Sequence, residues 1–263
     1  MHPHRPDHAL FRAEEAIRLM KYSIYPLALD LACGDGTFGS ILLLPGAVGV
    51  DLNSVELAKA DINGDYSLLI AANAGALPFG NGVFQTVLSN CALEHMDNAA
   101  QAVSEIARSL ALGGTFIFTI PPDSFKDILF PYRALKIARF DAAAEIYFKR
   151  MRKRMTIANL MGKEEWIQLL NENGFEVVES VPYLPGSSGI VWSFLFHLMS
   201  ARVPLPGRWK QDGVSFLLKG FLKHLPRSLY ENLIYAFLSR FILREAKKDE
   251  PSAGIVFYAI KKV

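Results

Sequence analysis

Residues 29–39 read Leu-Asp-Leu-Ala-Cys-Gly-Asp-Gly-Thr-Phe-Gly, and the fold turns on them. An apolar run from Leu27 to Ala32 leads into Cys33-Gly34-Asp35-Gly36, after which Phe38, Ile41 and Leu42 recur at helical spacing. This is the order strand, tight turn, helix, with the glycines permitting the turn. Gly34, Gly36 and Gly39 also make a G-x-G-x-x-G pattern, in which a ligand can approach the backbone closely and a helix N-terminus offers unpaired N–H groups. Alone, six such residues are weak evidence, since a plain structural turn can carry them too, so the weight falls on what surrounds them.

The same rhythm returns along the chain. Ala47 to Asp51 is predicted as a second strand, followed by a helix that Ser54 is placed to cap, and Leu68 to Ala72 as a third. Phe84 to Ser89 reads as the fourth. A helix from about Asn98 to Leu110 is expected to stop at Gly113-Gly114, and Thr115 to Ile120 is a fifth strand broken by Pro121-Pro122. Lys163 to Asn173 is a helix stopping at Gly174, Phe175 to Val181 a sixth strand, and Gly254 to Ile260 the last. A helix from about Pro6 to Met20 precedes all of these. Strands alternating with helices imply a mostly parallel sheet covered on both faces. Asp51, ending the second strand, is placed to accept hydrogen bonds from two ribose hydroxyls, although a carboxylate there also suits the cap of the following helix.

At 263 residues the chain can bury one sizeable α/β core with decorations. Hydrophobic residues make up 51% and the mean hydropathy is +0.20, an apolar excess that needs a location. Cys33 and Cys91 lack CxxC spacing and clustered histidines, so neither a metal site nor a disulfide framework is expected, and a reducing cytoplasm fits. The N-terminus, with His2, His4, Arg5 and Asp7, lacks the apolar stretch of a secretory signal, and no uncharged run reaches the ~18 residues of a spanning helix. Net charge is only +2 but uneven: residues 126–155 hold nine Lys/Arg against three Asp/Glu, and 201–250 hold ten against five. Such asymmetry points to an anionic partner.

Five stretches fall in a specific order: LDLACGDGTFG (29–39), VGVDLN (48–53), NAGALPF (73–79), VFQTVLSNCALEHM (83–96) and EIARSLALGGTFIFTIPP (105–122). In order and spacing they resemble the class I S-adenosylmethionine-dependent methyltransferases, and within them the bacterial small-molecule branch called methyltransferase type 11. The resemblance covers about 27–122 and resumes at EEWIQLLNENGFEVVES (164–180). It implies a Rossmann-like α/β fold: a seven-stranded, mostly parallel sheet with helices on both faces and a helical insertion before the last strand. Residues 1–182 would then be the cofactor-binding core, with an N-terminal cap helix and an acceptor-side insertion at 123–160. Residues 183–252 would be a mostly helical insertion or lid, and 253–263 the final core strand.

The resemblance also implies site roles. Asp30, Cys33, Gly34 and Gly36 would shape the pocket for the methionine end of S-adenosylmethionine, Asp51 would bind the ribose hydroxyls, and Leu52 would lie against adenine. Asn73 and Ala74 would meet the adenine edge; the family usually carries Asp at the position of Asn73, and an amide keeps a carbonyl acceptor. Asn90 would lie near the methionine part, with Glu94 and His95 at the rim facing the acceptor. For that pair the alternatives stay open: Glu94 as a loop anchor and His95 as a packed histidine, or both in proton transfer, for which an imidazole titrating near neutrality is suited. Methyl transfer from a sulfonium is an in-line displacement with an activated donor. Orientation alone can supply about 7–11 kcal/mol, so neither a metal nor a fixed triad is required.

Two other readings compete. A nicotinamide-dependent oxidoreductase also uses G-x-G-x-x-G and an acid after the second strand, and a non-catalytic module could bind lipid or a protein partner on the same fold. The run Lys149-Arg150-Met151-Arg152-Lys153-Arg154 reads as a solvated helix face, and with no recognisable RNA-binding signature nucleic acid is not the expected partner. Phe216, Leu217, Phe221, Leu222 and Leu225 recur at helical spacing beside Lys219, Lys223 and Arg227. This stretch is either a cap or dimer interface, or a face that touches an anionic membrane surface from the cytoplasmic side and admits a lipid-like acceptor. A monomer and a homodimer are both compatible with it.

Overall fold

The computed structural model describes residues 5–42, 46–201, 203–205, 208–210, 213–222, 227–247 and 249–262. His2, His4, Lys223 and Leu225 lie outside the described residues. The chain begins with α1 (Pro6–Leu19), β1 (Ala28–Leu31), α2 (Thr37–Ile41), β2 (Ala47–Asp51), α3 (Ser54–Asn63), β3 (Tyr66–Ala71) and β4 (Phe84–Asn90). A 3₁₀ turn at Leu93–His95 precedes α4 (Ala99–Ser109), β5 (Leu110–Ile120), α5 (Phe130–Ile137), α6 (Asp141–Arg154), α7 (Lys163–Glu172) and β6 (Phe175–Pro185). The last part holds α8 (Gly186–Met199), β7 (Val203–Leu205), β8 (Arg208–Lys210), α9 (Gly213–Leu222), α10 (Arg227–Leu238) and β9 (Ser252–Lys261).

The sheet has seven strands in the order β3-β2-β1-β4-β5-β9-β6. Neighbours from β3 through β5 run parallel and β9 lies antiparallel to β5, so the sheet is Rossmann-like and mixed. Strand order reverses between β1 and β4. At such a point the loops leaving the two strands diverge and open a crevice at the carboxyl ends. The strands next to that crevice are covered on both faces: β1 is buried throughout and β4 nearly so, with Asp30, Thr86 and Ser89 as polar side chains among their buried residues. Behind it, Phe118 is stacked between Phe116 and Phe257 with ring centroids 4.6 and 4.9 Å away, and Trp166 of α7 tilts over it at 5.4 Å. Helix α4 presents Ala99, Ala102, Val103 and Ile106 to this core at the spacing of one helical face.

Several local expectations need correction. Asn53, not Ser54, caps α3: it is extended, and its Oδ1 accepts from the N–H of Val55 at 2.9 Å. The pair Gly113-Gly114 does not stop α4, which ends at Ser109; it lies inside β5, where pairing with β4 steps from Phe84↔Leu110 to Thr86↔Thr115. Gly113 has φ 74°, so the pair forms a bulge that only glycine enters without strain. Strand β6 continues through Pro182 to Pro185, which is tolerated because β6 is an edge strand. The hairpin β7–β8 was not anticipated.

The chain divides into two compact units. Ala16–Ser124, Lys149–Pro182 and Gly254–Val263 form one, which contains β1 to β5 entire. The other comprises Met1–Glu15, Phe125–Phe148 and Tyr183–Ala253 and is mostly helical. Its interior is aromatic: Phe11 packs edge-on against Tyr183 and tilts against Trp192, which stacks on Phe196. The buried Tyr183 hydroxyl donates to Glu15 Oε1 at 2.7 Å. Among the described residues no helix is long and apolar enough to cross a membrane.

Candidate cofactor and acceptor site

A cavity of about 510 Å³ opens at the strand-order reversal. It is lined by the ends of β1 (Leu31, Ala32) and β2 (Val50, Asp51, Leu52), the loop after β3 (Ala72 to Gly75), Cys91 and Ala92, His95 to Asn98, and Gln101 and Ala102 of α4. That size falls within the roughly 300–1,000 Å³ of small-molecule sites.

Asp51 organises one wall. Its Oδ2 accepts from the N–H of Gly34 at 2.9 Å and its Oδ1 from the N–H of Asn53 at 2.8 Å, so one carboxylate ties the glycine turn to the end of β2. An ionised carboxylate has about four acceptor positions, and these two bonds leave room for a ligand's hydroxyls. Beside it Leu52 is 75% exposed, an apolar surface at the cavity edge. Asn73 lines the next part; its Oδ1 accepts from the N–H of Gly75 at 2.8 Å, and Ala74 follows it in the wall.

The glycine turn itself lies behind the lining. Gly34 and Gly36 have φ 55° and 73°, and a Cβ on Gly34 would meet nothing within 4 Å. A Cβ on Gly39 would collide with the Tyr66 hydroxyl and the Asp30 carboxylate, 2.3 and 2.7 Å away. That glycine is therefore required by a hydrogen bond the sequence did not announce: Tyr66 Oη donates to Asp30 Oδ2 at 2.6 Å. Asp30 is buried, and burial pushes its carboxyl up to about 6, against the lowering effect of the Tyr66 bond and with a further raising effect from Asp51. Burial, then Asp30 and Asp51, push the Cys33 thiol up to about 12, so it stays protonated at neutral pH and packs as a small apolar group. Asn90 is turned to the sheet, its Oδ1 accepting from Thr119 Oγ1 at 2.8 Å.

On the rim, Glu94 is buried while His95 is exposed and lines the cavity. His95 Nδ1 lies 3.0 Å from the Thr156 carbonyl oxygen, and its Nε2 lies 3.8 Å from Glu94 Oε1. Asn98 and Gln101 were not anticipated as lining residues. Asn98 caps α4, accepting from the N–H of Gln101 at 3.1 Å, and Gln101 Nε2 donates to the Gly75 carbonyl at 2.9 Å, fastening α4 to the loop after β3. The signal for Asn98 was present, since an N-cap before an apolar run is readable; nothing marked it as facing the crevice. Among the described residues no cluster of His, Cys, Asp and Glu is placed to hold a metal ion.

The fold and this site define a class. Residues 29–118 match the family described as a methyltransferase domain. The malonyl-[acyl-carrier protein] O-methyltransferase of Legionella pneumophila is 32% identical over 108 residues, 38% of this chain and 38% of that protein. Across the curated relatives the matched stretch covers between 36% and 55% of the relative's length. An S-adenosylmethionine-dependent methyltransferase structure from Thermotoga maritima superposes with a TM-score of 0.61 at 17% identity, covering 97% of this chain and 91% of that one. The geranyl diphosphate C-methyltransferase of Streptomyces coelicolor, solved with S-adenosylhomocysteine, gives a TM-score of 0.54 at 14% identity, covering 97% of this chain and 80% of that one. At these identities the superpositions speak to the fold alone. Together the findings show a methyltransferase domain over residues 29–118, set in the fold shared by S-adenosylmethionine-dependent methyltransferase structures.

Proposed function

We propose that this protein binds S-adenosylmethionine in the cavity at the strand-order reversal and transfers its methyl group to a small-molecule or lipid-like acceptor. The observation that carries the reading is Asp51, a carboxylate in the cavity wall that also holds the Gly34 N–H. The residues present fit the cofactor: Asp51 has acceptor positions left for ribose hydroxyls, Leu52 offers an apolar face to adenine, and Asn73 retains a carbonyl lone pair for an exocyclic amine. Ala74 borders the same edge. Asp30, Cys33, Gly34 and Gly36 shape the turn assigned to the methionine end, with Asn90 behind it. The bound cofactor supplies an activated methyl on a sulfonium; the chain binds, orients and excludes water. Calorimetry with S-adenosylmethionine, S-adenosylhomocysteine and NADH tests this, and tight NADH binding with no binding of either sulfur ligand would reverse it.

Asn73 gives a smaller prediction. Restoring the family's carboxylate, Asn73→Asp, is expected to keep or modestly raise affinity for S-adenosylhomocysteine, because an ionised acceptor makes the stronger bond to an amine. A clear loss of affinity would show that Asn73 serves the Gly75 turn rather than the nucleoside.

A lipid-like acceptor is favoured by a feature of the helical unit. Phe194 on α8 and Leu217 and Phe221 on α9 are exposed, α8 packs against α9, and Lys219 stands exposed beside them. Residues 201–250 carry ten Lys/Arg against five Asp/Glu, a charge complementary to an anionic bilayer. We assign this face to such a surface, where each cation adds roughly 1 kcal/mol that salt screens. Co-sedimentation is expected with phosphatidylglycerol vesicles at low salt, reduced at high salt and weaker with phosphatidylcholine. No sedimentation with anionic vesicles at low salt would leave these helices as a structural cap.

A further inference from the structure

The rim turn Leu93–His95 is gripped by a segment about sixty residues away. The main-chain N–H groups of Ala158 and Asn159 both donate to the Glu94 carbonyl, at 2.8 and 2.9 Å. Asn159 Nδ2 donates to the Met96 carbonyl and, at 3.5 Å, to that of Leu93. Arg152 Nη2 supports the segment from α6 by donating to the Ala158 carbonyl at 3.0 Å. At its head Thr156 has φ 55°, a left-handed conformation that β-branched residues rarely adopt. In that conformation its carbonyl oxygen sits 3.0 Å from His95 Nδ1, with Thr156 Oγ1 at 3.4 Å from the same nitrogen.

A carbonyl oxygen only accepts, so the ring nitrogen it meets carries the proton. The hydrogen bond made by one imidazole nitrogen fixes the state of the other. In the neutral ring Nε2 is therefore left with the lone pair, the reverse of the tautomer favoured by free imidazole in water. Nε2 is 3.8 Å from the Glu94 carboxylate, beyond hydrogen-bond reach, and His95 borders the cavity. The grip thus holds a histidine at the rim with its basic nitrogen unprotonated and unshared by the clasp.

We propose that Thr156 and Asn159 are positioning residues that set His95 Nε2 as the base for an acceptor attacking through a hydroxyl oxygen. This rests on reading the cavity as the methyltransferase site. In the step, the acceptor O–H bond breaks and its proton passes to Nε2. The oxygen's electron pair forms the new C–O bond while the methyl carbon–sulfur bond breaks, its pair staying on sulfur as the thioether of S-adenosylhomocysteine. Charge is conserved: the sulfonium's positive charge ends on the imidazolium.

The experiment reads the tautomer directly. Two-bond ¹H–¹⁵N correlation spectra of the full chain, taken where the rings are neutral, identify the His95 signal by its disappearance in His95→Gln. The wild type is expected to carry the proton on Nδ1. Asn159→Ala, which releases the turn, and Thr156→Pro, which cannot hold a positive φ, are each expected to shift the population to the Nε2–H form. A wild-type ring protonated on Nε2 overturns the proposal even where neither variant folds, and a folded Asn159→Ala that keeps Nδ1–H overturns the role of Asn159. Calorimetry with S-adenosylhomocysteine on the same wild-type sample separates the two readings. Binding with an Nε2–H ring keeps the methyltransferase site and removes the clasp; an Nδ1–H ring without binding removes the site and the proposal with it.

Discussion

Asp51→Ala is expected to weaken binding of both S-adenosylmethionine and S-adenosylhomocysteine by about one to two orders of magnitude. Hydrogen bonds to a charged group contribute about 1.5–3 kcal/mol, and 1.4 kcal/mol is a factor of ten in affinity. The loss has a second source in this protein, because the Asp51 carboxylate also holds the Gly34 N–H at 2.9 Å and the Asn53 N–H at 2.8 Å. Removing it loosens the glycine turn as well as the ribose contact. Asp51→Asn separates the two, since an amide oxygen still accepts one of those N–H groups while the negative charge is gone. Its affinity is expected between wild type and alanine. Isothermal calorimetry at fixed salt, with thermal melts as the check on folding, measures the series. Wild-type affinity in a folded Asp51→Ala would remove Asp51 from the site and, with it, the main support for the proposed function.

The parts of this molecule readable from sequence are those where one local signal has one physical meaning. The apolar run before Cys33-Gly34-Asp35-Gly36 had to be a buried strand and a turn, and β1 is buried at every position. The place of Asp51 at the end of β2 was readable from the strand pattern, and the carboxylate lines the cavity. Gly113-Gly114 misled because glycine at positive φ serves a helix stop and a bulge alike, and only pairing with β4 decides which. The sixth strand was expected to end at Val181, yet it runs on through Pro182 to Pro185, because proline is excluded only from central strands; that β6 is an edge is a property of the whole sheet. The Tyr66–Asp30 bond and the Thr156–Asn159 clasp were illegible for the same reason. Each joins residues 36 or about sixty positions apart through polar contacts, and a tyrosine or an asparagine carries no periodic mark of its distant partner.

Asp30 is expected to make the protein less stable as pH rises from about 4 to about 6. The residue is 4% exposed, and burial is the largest reason its carboxyl is raised from 3.8 to about 6 in the folded protein, with Asp51 adding to it and the Tyr66 hydroxyl opposing it. Below pH 4 the group is protonated folded and unfolded alike, and no difference arises. Between those values the folded chain holds the proton that the unfolded chain has released, so raising the pH favours unfolding. Above about pH 6 both are charged and the full cost, about 3 kcal/mol, is present. Asp30→Asn keeps an oxygen to accept from Tyr66 and removes the charge, so its urea midpoint is expected to exceed the wild type's at pH 7 and to converge with it toward pH 4. Parallel curves for the two proteins across this range would show that the buried carboxylate is not strained. In the proposed site, a cost of that size fits a group held for binding rather than for folding. In the proposed site the methionine end brings an ammonium toward this region, which would stabilise the charged carboxylate and draw its proton off. S-adenosylhomocysteine binding near pH 5 is therefore expected to release protons, seen as a binding enthalpy that changes with the ionisation enthalpy of the buffer, and this release should vanish in Asp30→Asn.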